Sequence, residues 1–263
     1  MSDEILLEAK KVGMEFGGLK AVDAFDLQLR RGELVGLIGP NGAGKTTCFN
    51  CLTGVYKPTS GEVFIRGVNT RGLKTHEVSR LGMTRTFQNI RLFKELSVLD
   101  NVIIAGLQHA RQTLLDDVLR HPRHYVEQAR TRERALELLR IFNLEGKADQ
   151  PSSSLPYGEQ RRLEIVRALA TEPRVILLDE PAAGMNDKET EDLMHLIAQI
   201  RRDFRLTVLL IEHDMRLVMG ICERIIVLDH GCIIAQGTPA QIKCDPAVIA
   251  AYLGVDEKTT EAT

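Results

Sequence analysis

The sequence contains no tryptophan, and Phe, Trp and Tyr together supply only 5% of its 263 residues. So few aromatics leave little with which to line a pocket for a solute. A dominant sign of charge is missing as well. There are 34 Lys and Arg against 36 Asp and Glu, for a formal net charge of −2. That balance excludes a general nucleic-acid footprint. Long apolar runs are absent too. The longest stretch free of Asp, Glu, Lys and Arg, His230 to Ile242, contains Gly231, Gly237 and Pro239, whereas a membrane span wants about 18 or more apolar residues. The first residues, Met1-Ser2-Asp3-Glu4, are acidic and do not read as the n-region of a signal peptide. The five cysteines are an odd number, which argues against a disulfide framework. Cys48 and Cys51 form a C-x-x-C that suits redox chemistry or half a zinc site. No second closely spaced Cys or His pair completes such a site, so small apolar residues on an early helix is the better reading.

What the chain does have is 44% hydrophobic residues, which excludes global disorder. At this length it can bury roughly 70–75% of its unfolded surface without a metal or disulfide staple. One large or two small domains of a cytoplasmic globule are expected.

No internal repeat or low-complexity segment interrupts the chain. Residues 5–30 alternate apolar and polar positions, as half-buried strands do, with Gly17-Gly18 as the turn between them. Leu34–Ile38 reads as a buried strand, Thr46–Leu52 as a helix and Glu62–Arg66 as a strand again. From Leu96 to Asp149 the pattern becomes helical, with Ala135, Leu138, Leu139 and Phe142 on one face. This stretch is rich in arginine (Arg111, Arg120, Arg123, Arg130, Arg132, Arg134), but Asp116, Asp117, Glu127 and Glu133 make it a solvated face. The linker Gln150–Ser154 closes it. A helix (158–170), a buried strand (175–178), a helix (189–202) and a buried strand (207–211) follow. Strands alternating with helices predict an α/β fold with a mainly parallel sheet covered on both faces.

Gly39-Pro40-Asn41-Gly42-Ala43-Gly44-Lys45-Thr46 matches G-x-x-x-x-G-K-[ST], between a predicted strand and a predicted helix. Glycines let such a loop wrap tightly, so that successive backbone N–H groups face phosphate oxygens. The helix N-terminus adds about half a positive charge. Lys45 is expected to bridge the β- and γ-phosphates of ATP and Thr46 to ligate Mg²⁺; Thr47 extends the binding loop. Further on, the apolar run Val175–Leu178 delivers Asp179 and Glu180 at the end of a strand, the sheet edge where α/β proteins bind ligands. Asp179 is placed for the Mg²⁺ shell and Glu180 to polarise an attacking water as general base.

At this point the chain resembles the ATP-binding-cassette ATPases. Thr86-Phe87-Gln88 is similar to that family's Q-loop and Leu155-Pro156-Tyr157-Gly158-Glu159-Gln160-Arg161 to its signature motif. Asp179-Glu180-Pro181 resembles Walker B, Ala183–Asn186 the D-loop, and Ile211–Asp214 the switch histidine. The resemblance runs from residue 5 to 254. It implies a P-loop NTPase (RecA-like) core with a small antiparallel β subdomain (5–87 and 159–254), an inserted α-helical subdomain (88–158) and a flexible tail (255–263). It implies Phe16 stacking on adenine, Gln88 contacting Mg²⁺ or water, and His213 contacting the γ-phosphate. Two ATPase subunits would close head to tail, with Tyr157, Gly158 and Glu159 facing the partner's ATP.

Two departures stand out. Pro156 and Tyr157 replace the Ser and first Gly of the usual Leu-Ser-Gly-Gly-Gln, and proline offers neither hydroxyl nor N–H. Asn186 stands where most relatives carry Asp. Pro181–Asn186, Phe87–Phe93, Ile211–Met215 and the ending Gly237-Thr238-Pro239 … Ala251-Tyr252-Leu253-Gly254 are similar to ATPases of high-affinity branched-chain amino acid importers. Relatives that drive urea or amide uptake or lipopolysaccharide export share part of this pattern. The resemblance implies a motor lying on the inner face of the cell membrane. Its partners would be integral membrane permease subunits, a second ATPase subunit and, indirectly, a periplasmic or surface solute-binding protein. Nucleic acid is not among them. Ile90, Leu92 and Phe93 are the candidate contacts to the permease.

Overall fold

A computed structural model describes residues 4–109 and 122–257. Arg111, Arg120, Asp116 and Asp117 of the basic helical face lie outside the described residues, as do residues 258–263 of the expected tail. The chain divides into two compact units, Met1–Arg85 with Arg174–Thr263, and Thr86–Pro173.

The first unit contains two sheets. Strands β1 (Ile5–Phe16) and β2 (Leu19–Arg30) form a hairpin across Gly17-Gly18, both at positive φ. Their alternation is that of half-buried strands: Val22, Phe25, Leu27 and Leu29 are buried while Asp26, Gln28 and Arg30 face out. With β4 (Ser60–Ile65) and β5 (Val68–Asn69) they make an antiparallel sheet in the order β2-β1-β4-β5.

The larger sheet has the order β10-β9-β3-β8-β7-β6. It comprises β3 (Leu34–Ile38), β6 (Met83–Arg85), β7 (Val175–Asp179), β8 (Thr207–Ile211), β9 (Arg224–Asp229) and β10 (Cys232–Gly237). All neighbours pair in parallel except β10, which runs antiparallel to β9. Strands β3, β7 and β8 are buried at every position, which is why they read as unbroken apolar runs. Helix α1 (Lys45–Leu52) buries Cys48, Phe49, Cys51 and Leu52 in one core with β1, β2, β3, β7 and β8. A short α2 (Thr75–Arg80) precedes β6. The parallel strands β3, β7 and β8 end side by side, so the residues that follow them share one edge.

In the second unit, α3 (Val98–Gly106), α4 (Pro122–Ile141) and α5 (Tyr157–Ala170) pack on one another. This compact unit spans Thr86–Pro173. Helix α5 packs on α3 and α4 and buries Leu163, Ile165 and Val166. Back in the first unit, α6 (Asp187–Asp203), α7 (Met215–Ile221), α8 (Pro239–Lys243) and α9 (Pro246–Glu257) complete the chain. Among the described residues no helix is long and apolar enough to cross a membrane.

Candidate nucleotide site

The phosphate loop leaves β3 and enters α1 under tight backbone restraint. Gly39 has φ 151°, and a Cβ built there would lie 2.0 Å from the carbonyl oxygen of Leu228. Gly44 caps α1 at φ 98°; its Cβ would lie 2.4 Å from the Ala21 carbonyl oxygen. Only glycine tolerates these positions. The Gly231 N–H donates to the Ala43 carbonyl at 2.9 Å and fastens the loop to the β9–β10 turn. Asn41, Gly42 and Thr46 are exposed and Pro40 and Thr47 half-buried. The first N–H groups of α1 have no partners within the helix, so they are available to an anion.

Lys45 is buried. Its Nζ donates to the carbonyl oxygens of Gly39 and Pro40 at 2.7 and 2.9 Å. Burial lowers its pKa, and the charge of Glu180 works in the other direction. A glycine cradle that a side chain would fill, an exposed helix start and a buried ammonium held at its mouth together fit a polyphosphate.

Glu180 follows β7 at φ 47°, the left-handed region that costs a non-glycine residue about 1–3 kcal/mol and concentrates at functional sites. Two backbone bonds hold it there, from Glu180 N–H to Ile211 (2.9 Å) and from Ala183 N–H to the Glu180 carbonyl (3.1 Å). His213 follows β8, with Nδ1 3.8 Å from Glu180 Oε1, too long for a hydrogen bond. Asp179 is buried at the end of β7 and pairs with Arg85 at 2.5 Å. The first unit therefore brings together the phosphate loop, Asp179, Glu180 and His213. Phe16 is 44% exposed and meets Tyr56 edge-on at 5.5 Å, which keeps a ring available for stacking.

Among the described residues no group of three or more His, Cys, Asp and Glu gathers as a metal site. A metal held by protein here would rest on the Thr46 hydroxyl and the Asp179 carboxylate, a hard oxygen set that suits Mg²⁺ shared with phosphate oxygens and water. Cys48 and Cys51 are buried free thiols. Burial pushes Cys48 up and Cys51 to about 11, so neither is a thiolate near neutral pH.

The remaining expected residues belong to the second unit. Gln88 is exposed, and its loop is held by α5. Arg161 donates to the carbonyls of Phe87 (2.7 Å) and Gln88, Glu164 accepts the Phe87 N–H at 3.3 Å, and Arg167 donates to the Arg91 carbonyl. Arg161 and Glu164 form a buried ion pair at 3.1 Å. Asn101 both accepts the Phe93 N–H (2.9 Å) and donates to its carbonyl (3.0 Å). Tyr157 is exposed under the Arg161 guanidinium. Helix α5 starts at Tyr157, with Pro156 at the N-cap giving no side-chain cap. Glu159 binds Lys147 at 2.5 Å.

Asn186 has a structural role of its own. It caps α6, accepting the Glu189 N–H at 3.0 Å. Glu212 was not expected at the site. It is 1% exposed and accepts N–H bonds from Ala182 (2.8 Å), His213 (3.1 Å) and Asp214 (3.4 Å). It thereby ties the segment after Glu180 to the end of β8, and burial raises its pKa. A single acid directly after an apolar strand was the signal that could have found it.

A glycine loop opening a helix, beside acids at the carboxyl edge of a parallel sheet, defines a phosphate-loop nucleotide hydrolase. More narrowly, the chain belongs to the ABC transporter family, whose profile matches residues 22–183. A second profile, "Branched-chain amino acid ATP-binding cassette transporter", matches residues 232–258. The chain is 48% identical over 249 residues to the high-affinity branched-chain amino acid transport ATP-binding protein LivG of Escherichia coli (strain K12), covering 95% of this chain and 98% of that one. Identity to the lipopolysaccharide export system ATP-binding protein LptB of Escherichia coli is 38% over 250 residues, with the same coverage. Among solved structures, the ADP conformation of the ATP-binding cassette MJ1267 superposes with a TM-score of 0.81 at 28% identity, covering 95% of this chain and 99% of that one. A dimeric post-hydrolysis state of the cassette MJ0796, bound to ADP and Pi, gives 0.75 at 29% identity over 89% and 99%.

Proposed function

We propose that this chain is the ATP-hydrolysing subunit that energises import of leucine, isoleucine or valine through a separate membrane permease. The observation that carries the ATPase reading is one edge of one sheet, where the phosphate loop with Lys45, Glu180 and His213 stand together. The solute rests on similarity: 48% identity to LivG over nearly the whole chain and the C-terminal match to a branched-chain profile.

In this reading the loop amides and Lys45 cradle the β- and γ-phosphates of ATP. Thr46 and Asp179 would hold Mg²⁺, which would offset phosphate charge when bound. Glu180 accepts the proton of the attacking water, its carboxylate lying 3.8 Å from His213 Nδ1. His213 contacts the γ-phosphate. Phe16 stacks on adenine. A second ATPase subunit supplies Tyr157, Gly158 and Glu159 across a head-to-tail dimer, for which the dimeric MJ0796 cassette is support. Closure and reopening drive the permease, gripped near Gln88 by Phe93, which is 48% exposed, and by half-buried Ile90 and Leu92.

The test is reconstitution with the permeases encoded beside the gene and uptake of labelled leucine. ATP-dependent uptake is expected. No uptake alongside robust lipid-linked export would move the assignment to the lipopolysaccharide exporters. For the site, Glu180→Gln should bind ATP, slow hydrolysis by about 10²–10⁴-fold and accumulate as a dimer. A monomer in saturating ATP would count against the head-to-tail arrangement.

A further inference from the structure

Arg85 ends β6, directly before Thr86-Phe87-Gln88, and its guanidinium is buried against the nucleotide site. Nη2 donates to Oδ2 of Asp179 at 2.5 Å, and Nη1 donates to Oδ1 of Asn50 at 2.6 Å. The side chains of Arg85 and Asp179 are only 8% and 4% exposed. The guanidinium carbon lies 5.4 Å from the centroid of the Phe49 ring, so an aromatic face fixes the plane of the fork. Asn50 sits on α1 four residues beyond Thr46, hence on the same helix face. One rigid side chain therefore fastens the two elements that carry Thr46 and Asp179.

We propose that Arg85 is a positioning residue for the metal shell of this ATPase. It sets the orientation of the Asp179 carboxylate and the spacing between the end of β7 and the Thr46 face of α1. This rests on the reading that Thr46 and Asp179 hold Mg²⁺. Arginine suits the task because its planar fork serves two acceptors at fixed angles, and buried partners that orient a metal-binding group tune its affinity. Charge and geometry predict opposite outcomes. A cation beside Asp179 repels Mg²⁺, so on charge alone its removal tightens the metal. If the guanidinium acts by positioning, its removal frees the carboxylate to turn and weakens the metal.

The experiment measures equilibrium binding of a fluorescent methylanthraniloyl ATP to the full chain, in EDTA and across a Mg²⁺ titration. Thermal unfolding verifies folding of each variant. Arg85→Gln should raise the Mg²⁺ concentration at half-saturation by about tenfold and leave the affinity in EDTA unchanged. Arg85→Lys, which keeps the charge but cannot fork to both acceptors, should fall between. Asp179→Asn should raise the Mg²⁺ requirement at least as much, and adding Arg85→Gln to it should cost little more. An unchanged or lowered Mg²⁺ requirement in Arg85→Gln, with Asp179→Asn still affected, overturns the role of Arg85 alone. A silent Asp179→Asn overturns the metal reading and this inference with it. Should Arg85→Gln fail to fold, Arg85→Lys and Asn50→Ala carry the test; both should raise the requirement, and no change in either overturns the proposal.

Discussion

The two compact units hold their ATP-related segments by different means. In the first, the phosphate loop is shaped by backbone, with Gly39 and Gly44 pressed against the carbonyls of Leu228 and Ala21. In the second, residues 87–93 are held by side chains, chiefly Arg161, Glu164, Arg167 and Asn101. A loop fixed by backbone contact has one shape and accepts one residue type. A loop fixed by side chains takes its shape from the neighbours that grip it, and those neighbours can let go. The first arrangement suits a site that must meet a constant ligand, triphosphate. The second suits a segment read here as the contact to a permease.

The comparison breaks most visibly at Gly39. A Cβ there meets a backbone oxygen at 2.0 Å, and a backbone atom cannot swing aside. Gly39→Ala should cost beyond about 4 kcal/mol, the range reserved for such disruptions, and abolish ATP binding. Gly42 is its control, with φ 81° and nothing within 4 Å of a Cβ; Gly42→Ala should cost only about 1–2 kcal/mol. Equal losses in urea unfolding would show that glycine's conformation, not the collision, shapes the loop. In the second unit, Arg161→Met leaves Glu164 a buried carboxylate without its ion-pair partner. The expected cost is about 3–5 kcal/mol. Amide exchange should quicken across residues 87–93 while ATP affinity in the isolated chain stays near the parent's. Unchanged exchange there would mean that Asn101 and Arg167 suffice.

The same difference decides what the sequence made legible. The phosphate loop is readable because backbone geometry confines it to few residue types at fixed spacing, Asp179 and Glu180 because they follow an apolar strand, and His213 only through the family resemblance. Buried strands β3, β7 and β8 were readable because burial on both faces admits only apolar residues. Strand β6, at only three residues (Met83–Arg85), was too short to show a period. Arg161 and Glu164 sit on a helix whose polar residues look like a solvated face, and nothing local marks them as buried. Arg85 escaped because its partners Asn50 and Asp179 lie far away in sequence. Glu212 stands after an apolar run, but nothing local shows that it ties its strand end to Ala182.

Glu212 gives the smallest effect and sharpens the comparison, because it is a side-chain device inside the backbone-built unit. Burial is the largest cause of its raised pKa, and the N–H bonds from Ala182, Asp214 and His213 work against it. The native state therefore binds this proton more readily than the unfolded chain, whose carboxyl titrates near the ordinary 4.5. In the interval between the ordinary and the raised value the native state holds more protons, so stability rises as pH falls. Above the raised value the buried charge carries its full cost; below the ordinary value both states are protonated and the gain is constant. Glu212→Gln removes this titration. The difference in melting temperature, parent minus variant, should grow as pH falls from neutral toward 4.5 and then level off. A flat difference would mean that the three N–H bonds fully offset burial. A difference that shrinks on acidification would make the charged carboxylate a net stabilising tie between the Glu180 segment and β8, and the first unit would then depend on side chains as the second does.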